Sequence, residues 1–354
     1  MNNRKNKQEI NIEPELRAMM DTVASKGIQS ICFFNNKGGV GKTTLVANLA
    51  AQLALNLKKR ILVVDADPQC NLSQYVLTDS EFDDFYQSEI NKETIYSIIQ
   101  PLSIGKGYSE KLPVKKSNTF GFDLIVGDPR LALKEDLLAQ DWRDAKAGGT
   151  RGLRTTFIFS DLIEKSKNIY DFVLFDMGPS LGAINRSILL AADYFIVPMS
   201  IDIFSIWAVR NIGEALKVWQ AELENGIKLA EDPEEINLIS RNKKSLKFLG
   251  YVMQQHKEKS EGGKPRTVEA YAAIKNRLPG EVECKLSALY PTTPFNPHLG
   301  DIKHFSSLAP KSQSLHTPMI TVSLRGSYTS LRAQARESYN QISYRLFENL
   351  AAIK

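Results

Sequence analysis

Cysteine is scarce in this 354-residue chain: Cys32, Cys70 and Cys284 are scattered, odd in number and lack any C-x-x-C pair. That pattern argues against a disulfide framework and against a zinc or iron–sulfur ligand set, and a reducing cytoplasm is its simplest home. Long apolar runs are missing as well. No stretch approaches the ~18 apolar residues of a spanning helix, and the polar start Met1-Asn2-Asn3-Arg4-Lys5-Asn6-Lys7 is followed by no apolar leader core, so neither secretion nor membrane insertion is expected. Net charge is small, +5, but uneven. Residues 241–277 hold ten Lys/Arg against Glu258, Glu261 and Glu269, a local +7, and residues 303–345 hold a local +5. A localised basic face suits a polyanion better than a uniformly basic chain. Just ahead, Glu222, Glu224, Glu231, Asp232, Glu234 and Glu235 against Lys228 form a stretch of −5 that either orients the protein on such a partner or keeps it soluble. Hydrophobic residues make up 43% of the chain, which favours a globular core over disorder.

What is present is a phosphate-binding signature. Ile31-Cys32-Phe33-Phe34 is an apolar burst short enough for a buried parallel strand, and further on Leu45, Val46, Leu49, Leu53 and Leu57 recur at helical spacing. Between them lies Asn35-Asn36-Lys37-Gly38-Gly39-Val40-Gly41-Lys42-Thr43-Thr44. Gly38, Gly39 and Gly41 let backbone N–H groups turn inward on a polyphosphate without Cβ clashes, and the helix N-terminus adds its positive end. Lys42 should reach the β- and γ-phosphates, and the Thr43 hydroxyl should sit on Mg²⁺. The ordinary pattern G-x-x-x-x-G-K-[ST] opens on glycine, whereas here Asn36 stands first and Lys37 follows.

The run Lys37 to Thr44 resembles the deviant Walker A box of the ParA/MinD family of dimerising ATPases. The resemblance implies that ATP and Mg²⁺ are bound by Lys37, Gly38, Gly39, Val40, Gly41, Lys42, Thr43 and Thr44, with Lys37 reaching in trans to the partner's nucleotide. Two further boxes stand in the family's order. Ile61-Leu62-Val63-Val64 is a buried strand that delivers Asp65-Ala66-Asp67-Pro68-Gln69 at its C-terminal end, where α/β sheets place their ligands. This is similar to the family's D-x-D-P-Q, in which Asp67 lies near the γ-phosphate and the magnesium shell and helps position the attacking water. Asp65 serves either Mg²⁺ or the geometry of the loop. Asp171-Phe172-Val173-Leu174-Phe175 is a strand ending in Asp176, a Walker B arrangement in which the carboxylate holds a magnesium-bound water. Residues 170–185 resemble the family's Y-D-[FY]-V-[LI]-[FI]-D-x-x-P-S-L-G, with Gly178 and Pro179 in its switch loop. Gln254 and Pro294 fall where the family reads adenine.

The expected fold is α/β, a doubly wound, mainly parallel sheet with helices on both faces. Residues 1–27 read as a polar tail and one short helix, too little for a helix-turn-helix, and residues 28–354 as a single P-loop ATPase domain with insertions near 78–119, 134–160 and 220–246. Within these, residues 78–119 read as one helix plus an irregular connection. Ala147-Gly148-Gly149-Thr150-Arg151-Gly152-Leu153-Arg154 reads as a loop whose Arg151 and Arg154 face phosphate, a partner or merely solvent. A helix over 204–223 has Trp207, Ile212, Leu216 and Trp219 on or near one face. A second runs from Thr267 to about Leu278, and the last, from about Ser330, turns Leu331, Ala335, Tyr339, Ile342, Leu346 and Leu350 inward.

Taken with the resemblance, these features describe a ParA-type partition ATPase without an N-terminal helix-turn-helix. Two copies would close over ATP, juxtapose basic surfaces on non-specific DNA, and reopen on a slow hydrolysis stimulated by a ParB-like adaptor, in the cytoplasm on the nucleoid. Candidate DNA contacts are Lys257, Lys259, Lys264, Arg266, Arg332 and Arg336, chosen because they lie in a basic loop or on the terminal helix. The same switch acting on a protein cargo or a defence complex is the alternative. A MinD-like membrane switch would want a basic amphipathic tail, but residues 339–354 carry only Arg345 and Lys354 against Glu348, so packing is favoured. An iron–sulfur relative would need cysteine in residues 177–182, which contain none.

Overall fold

The computed structural model describes residues 12–87, 93–239, 246–254, 266–291, 295–303, 305, 307–323 and 325–353, the side chains of 266–272 excepted. The chain opens with α1 (Pro14–Ala24), begun by proline at its first position, where no N–H is needed. Next come β1 (Gln29–Phe33) and α2 (Lys42–Ala51), which runs on into a π-helical turn over Gln52–Asn56. Then follow β2 (Ile61–Asp65), α3 (Asn71–Val76), α4 (Asp79–Gln87), α5 (Ile95–Ser103), β3 (Lys115–Ser117) and β4 (Phe122–Ile125). A short helical pair, α6 (Glu135–Lys146) and α7 (Thr150–Thr156), precedes α8 (Ile158–Ser166), β5 (Phe172–Asp176) and α9 (Ala183–Ala191). The remainder is β6 (Tyr194–Ser200), α10 (Ile203–Leu229), α11 (Pro233–Ile239), β7 (Lys247–Gln254), α12 (Arg266–Leu286), β8 (His298–Ile302), α13 (Leu308–Ser314) and α14 (Tyr328–Ala352).

Among the described residues the strands form one eight-stranded sheet in the order β3-β4-β2-β5-β1-β6-β7-β8, parallel throughout except for the antiparallel edge pair β3–β4. Strand alternation splits the core in two. Ile31 and Phe33 of β1, with Val63, Leu174 and Leu249, face α1, α2, α3 and α14, whereas Cys32 and Phe34, with Val64, Phe175 and Phe195, face α5, α8, α9, α10 and α12. Both faces of the sheet are covered, so the fold is doubly wound as expected, and near-continuous apolar strands are the physical consequence of burial on both sides. A third, smaller cluster joins Trp142, Ala145, Leu153, Phe157, Leu223 and Ile236, so that α6, α7, α11 and the far half of α10 form an extra layer lying on α9.

Four sequence readings are corrected. Among the described residues of 78–119 there are two helices and an edge strand; β3 is only Lys-Lys-Ser, too short and polar to show a period. Residues 147–154 are not an open loop but include α7, and their glycines serve close packing. A Cβ on Gly152 would run into the backbone of Asp141 and Ala145 on α6, and one on Gly149 into the Asp144 side chain. Arg151 pairs with Asp141 at 3.5 Å and Arg154 with Glu235 at 2.8 Å, so both charges are paired within the chain. Helix α10 extends past residue 223 to Leu229, and its Trp207 is 55% exposed while Ile212 and Leu216 are buried. Helix α12 continues through Pro279 to Leu286 because Leu278, Val282 and Leu286 are buried on one side, and tertiary packing overrides the break that Pro-Gly signals.

Candidate nucleotide-binding site

The sheet order brings the three sequence boxes together. Strand β1 lies beside β5 and β5 beside β2, with Phe33 opposite Asp176 and Asp176 opposite Asp65. The loop leaving β1, the Asp176 carboxylate and the Asp65–Asp67 turn therefore emerge side by side at the C-terminal edge, where α/β folds bind ligands. Gly39 and Gly41 take φ of 73° and 71°, the left-handed conformation that a side chain disfavours, and Gly41 leads directly into α2. Lys42, the first residue of α2, is buried. Its Nζ donates to the carbonyls of Asn35 and Lys37, each at 3.3 Å, so the ammonium lies across the mouth of the loop. Burial pushes its pKa down, against the opposing pull of Asp176 and Asp67.

Asp176 is fully buried and neither of its carboxylate oxygens has a hydrogen-bond partner. Desolvation drives its pKa well up, the Asp65 and Asp67 charges add to this, and Thr43 and Lys42 pull the other way. Such an orphaned carboxylate facing the end of a glycine-turned loop fits a hydrated divalent cation, which would supply what the protein does not. Asp67 accepts from Gln69 N–H at 3.0 Å, and a Cβ on Gly178 would lie 3.3 Å from its Oδ1, so Asp67 abuts the switch loop. Asp65 accepts from the Ser73 N–H at 2.8 Å and its hydroxyl at 2.7 Å, tying the β2 end to α3; of its two open roles, these bonds serve loop geometry. Burial raises the Asp65 pKa to about 7 and that of Cys70, also on this turn, to about 12.

A cavity of about 780 Å³ opens over these groups, lined by Gly38, Gly41, Lys42, Thr43, Thr44 and Asp67 and by Pro179 of the switch loop. It extends to Gln74 on α3, to Asp79 on α4, to Gln313 on α13 and to His316 just after it, a wall that sequence reading missed because nothing in those residues forms a motif. Lys37 directly precedes Gly38 of the cavity lining. Its Nζ is ion-paired with Asp202 of the same chain, the residue that caps α10 through Ser205 N–H, and sits 5.8 Å from the exposed Phe204 ring. The Gln254 amide packs on the loop, donating to the Gly41 carbonyl at 3.4 Å. Pro294, Lys257, Lys259 and Lys264 lie outside the described residues, as does the Arg266 side chain. Arg332 and Arg336 donate to the carbonyls of Val322 (3.0 Å) and Ile320 (2.6 Å), pinning the segment before α14, each through one of five available donors.

A glycine-turned loop at the centre of a doubly wound parallel sheet, with acidic residues ending the neighbouring strands, defines the P-loop nucleotide-binding class. A protein-family model for an AAA domain matches residues 28–229, more than half of the chain, and the chain belongs to that family. The chromosome partitioning protein ParA of Myxococcus xanthus is 26% identical over 201 residues, which are 56% of this chain and 62% of that protein. The chain thus matches less than two thirds of that relative's length. The crystal structure of protein DIP2308 from Corynebacterium diphtheriae is 32% identical, covers 81% of this chain and 97% of its own, and superposes with a TM-score of 0.65. The Mg-ADP complex of the septum site-determining protein MinD from Pyrococcus horikoshii shares the fold at 17% identity, covering 89% of this chain and 94% of its own, with a TM-score of 0.52.

Proposed function

We propose that the protein is a Mg²⁺-dependent ATPase that dimerises over ATP, binds DNA without sequence preference in that state, and positions DNA or another cargo until hydrolysis releases it. The observation that carries this reading is the Asp176 carboxylate, buried and unpartnered beside Lys42 at the end of the loop. A hydrated Mg²⁺ would draw on Thr43 and the phosphate oxygens, with Asp176 through water. Lys42 and the backbone N–H groups of residues 38–43 hold the phosphates, and Asp67, against Gly178, orients the attacking water.

Lys37 supports the dimer. It directly precedes Gly38 of the cavity lining with its charge held by Asp202, and release from that carboxylate would free it for a second copy's phosphates. Phosphate contacts from the basic residues would give an affinity that is alike for unrelated duplexes and falls steeply with salt. A ParB-like adaptor would set the rate of reopening. Sizing the protein with and without Mg·ATP, followed by retention of each species on unrelated DNA duplexes, tests the reading. A monomer under both conditions, or DNA retention that ignores nucleotide, would overturn it.

A further inference from the structure

We propose that Glu135 is a positioning residue for the switch loop: from α6 it caps the N-terminus of α9 and so fixes residues 177–182 over the nucleotide. This rests on the ATPase reading above. Helix α9 begins after Gly182, which has no side chain to accept the first N–H groups, and groups left orphaned there are costly when buried. Glu135 supplies the cap from another element. One of its oxygens accepts from Ala183 N–H and the other from Ile184 N–H at 3.2 Å, which sets a negative charge on the positive end of the helix. Glycine at 182 leaves room for this, because a Cβ there would displace the Glu135 carboxylate from its present position.

The loop is gripped at its other end by Asn185, whose Nδ2 donates to the carbonyls of Gly178 at 2.8 Å and Ser180 at 2.6 Å. Gly178 stands against Asp67 and Pro179 lines the cavity, so both holds bear on the group proposed to orient water. One residue beyond Asn185, the Arg186 guanidinium stacks 4.5 Å from the Trp142 ring and 5.8 Å from that of Trp219. Helix α9 is therefore fastened to the α6–α10 layer by Glu135 and Arg186 as well as by Leu190 in that layer's cluster. That layer has a hydrophobic cluster of its own besides the contacts of Leu138, Ile212 and Leu216 with the sheet-facing core, and Glu135 links it to the loop.

The test uses the full chain with Glu135→Ala and Glu135→Gln. Steady-state turnover, equilibrium binding of a fluorescent ATP analogue and amide hydrogen exchange of the peptide spanning 178–186 are measured for each. Glu135→Ala should lower kcat roughly 10–100-fold, the scale of a misplacement of about 1 Å at a reacting group. Nucleotide affinity should stay within about threefold while exchange at 178–186 rises, because the phosphate grip of residues 38–43 is untouched. Glu135→Gln keeps one acceptor and should restore part of kcat. Gly182→Ala, which displaces the carboxylate without removing it, should reproduce the alanine phenotype and serves if Glu135→Ala does not fold. Unchanged kcat and exchange in Glu135→Ala, or a parallel fall in kcat and affinity with no recovery in Glu135→Gln, would overturn the proposal. Failure of the wild-type chain to bind or hydrolyse ATP would instead overturn the ATPase reading, while the exchange comparison in nucleotide-free protein still reports on the cap.

Discussion

Replacing Asp65 by asparagine should flatten the pH dependence of stability in the nucleotide-free protein. Asp65 is fully buried at the end of β2, and burial raises its pKa from the ordinary 3.8 to about 7 despite two hydrogen bonds from Ser73 that oppose the shift. An acid whose folded-state pKa is raised holds its proton more firmly in the folded chain than in the unfolded one. Its contribution to stability is therefore full at low pH and is lost as pH climbs through the window from 3.8 to about 7. Linkage over that window gives a loss of roughly 2–3 kcal/mol between pH 5 and pH 8. That is a sizeable part of the ~5–15 kcal/mol by which a domain is ordinarily stable. Asp176 is shifted in the same direction, by burial first and by the Asp65 charge second, so Asp65→Asn removes one group and relieves the other. Urea unfolding at pH 5, 6, 7 and 8 measures the effect at constant temperature. The wild type should lose stability across the series and the variant should lose markedly less. Equal slopes in the two proteins would refute the inference that burial keeps Asp65 protonated into the neutral range. Saturating Mg·ATP should weaken the slope in the wild type, since a cation beside Asp176 favours the ionised form.

Lys42→Ala should abolish ATP binding, whereas Asp67→Ala should spare it and slow turnover by ~10²–10⁴; fluorescence titration and phosphate release separate the two, and normal turnover in Asp67→Ala would remove its assigned role. Lys37→Ala should keep ATP binding yet lose ATP-dependent dimerisation, and Asp202→Asn should promote it by freeing the lysine. Light scattering reads both, and a Lys37→Ala protein that dimerises like the parent would make Lys37 decorative. Gly152→Ala should destabilise the fold by ~1–3 kcal/mol through overpacking against α6 while leaving nucleotide affinity intact; thermal unfolding with no change in midpoint would show that α6 and α7 are not pressed together there.

The parts of the molecule that were legible are those where one local pattern carries both fold and chemistry. Apolar bursts ending at Phe34, Val64 and Phe175 marked strands buried on both faces, and the charged or glycine-rich residues that follow each burst marked the sheet edge where they meet. What escaped reading depends on distance in sequence. Glu135 caps a helix 48 residues away, Asp202 holds a lysine 165 residues away, and Ser73 engages Asp65 through a bond that no motif announces. The glycines of residues 148–152 misled for a related reason: the same absence of a side chain that loosens a loop also lets two helices touch, and only the neighbouring helix decides between them. Likewise Trp207 has the composition of a core residue and the exposure of a surface one.

The alternation along β1 bears on how the chain guards against its own misfolding. Ile31 and Phe33 belong to one layer and Cys32 and Phe34 to the other, so a slip of one residue would trade the two sets and carry the following loop about 3.3 Å along its neighbour, away from Asp176. A mispaired chain would then present no intact phosphate cradle. Under the proposed function, ATP would bind only correctly registered copies and stabilise them by RT ln(1 + [L]/Kd). The nucleotide thereby acts as an inspector of newly made protein, retaining those copies whose central strand has paired in register.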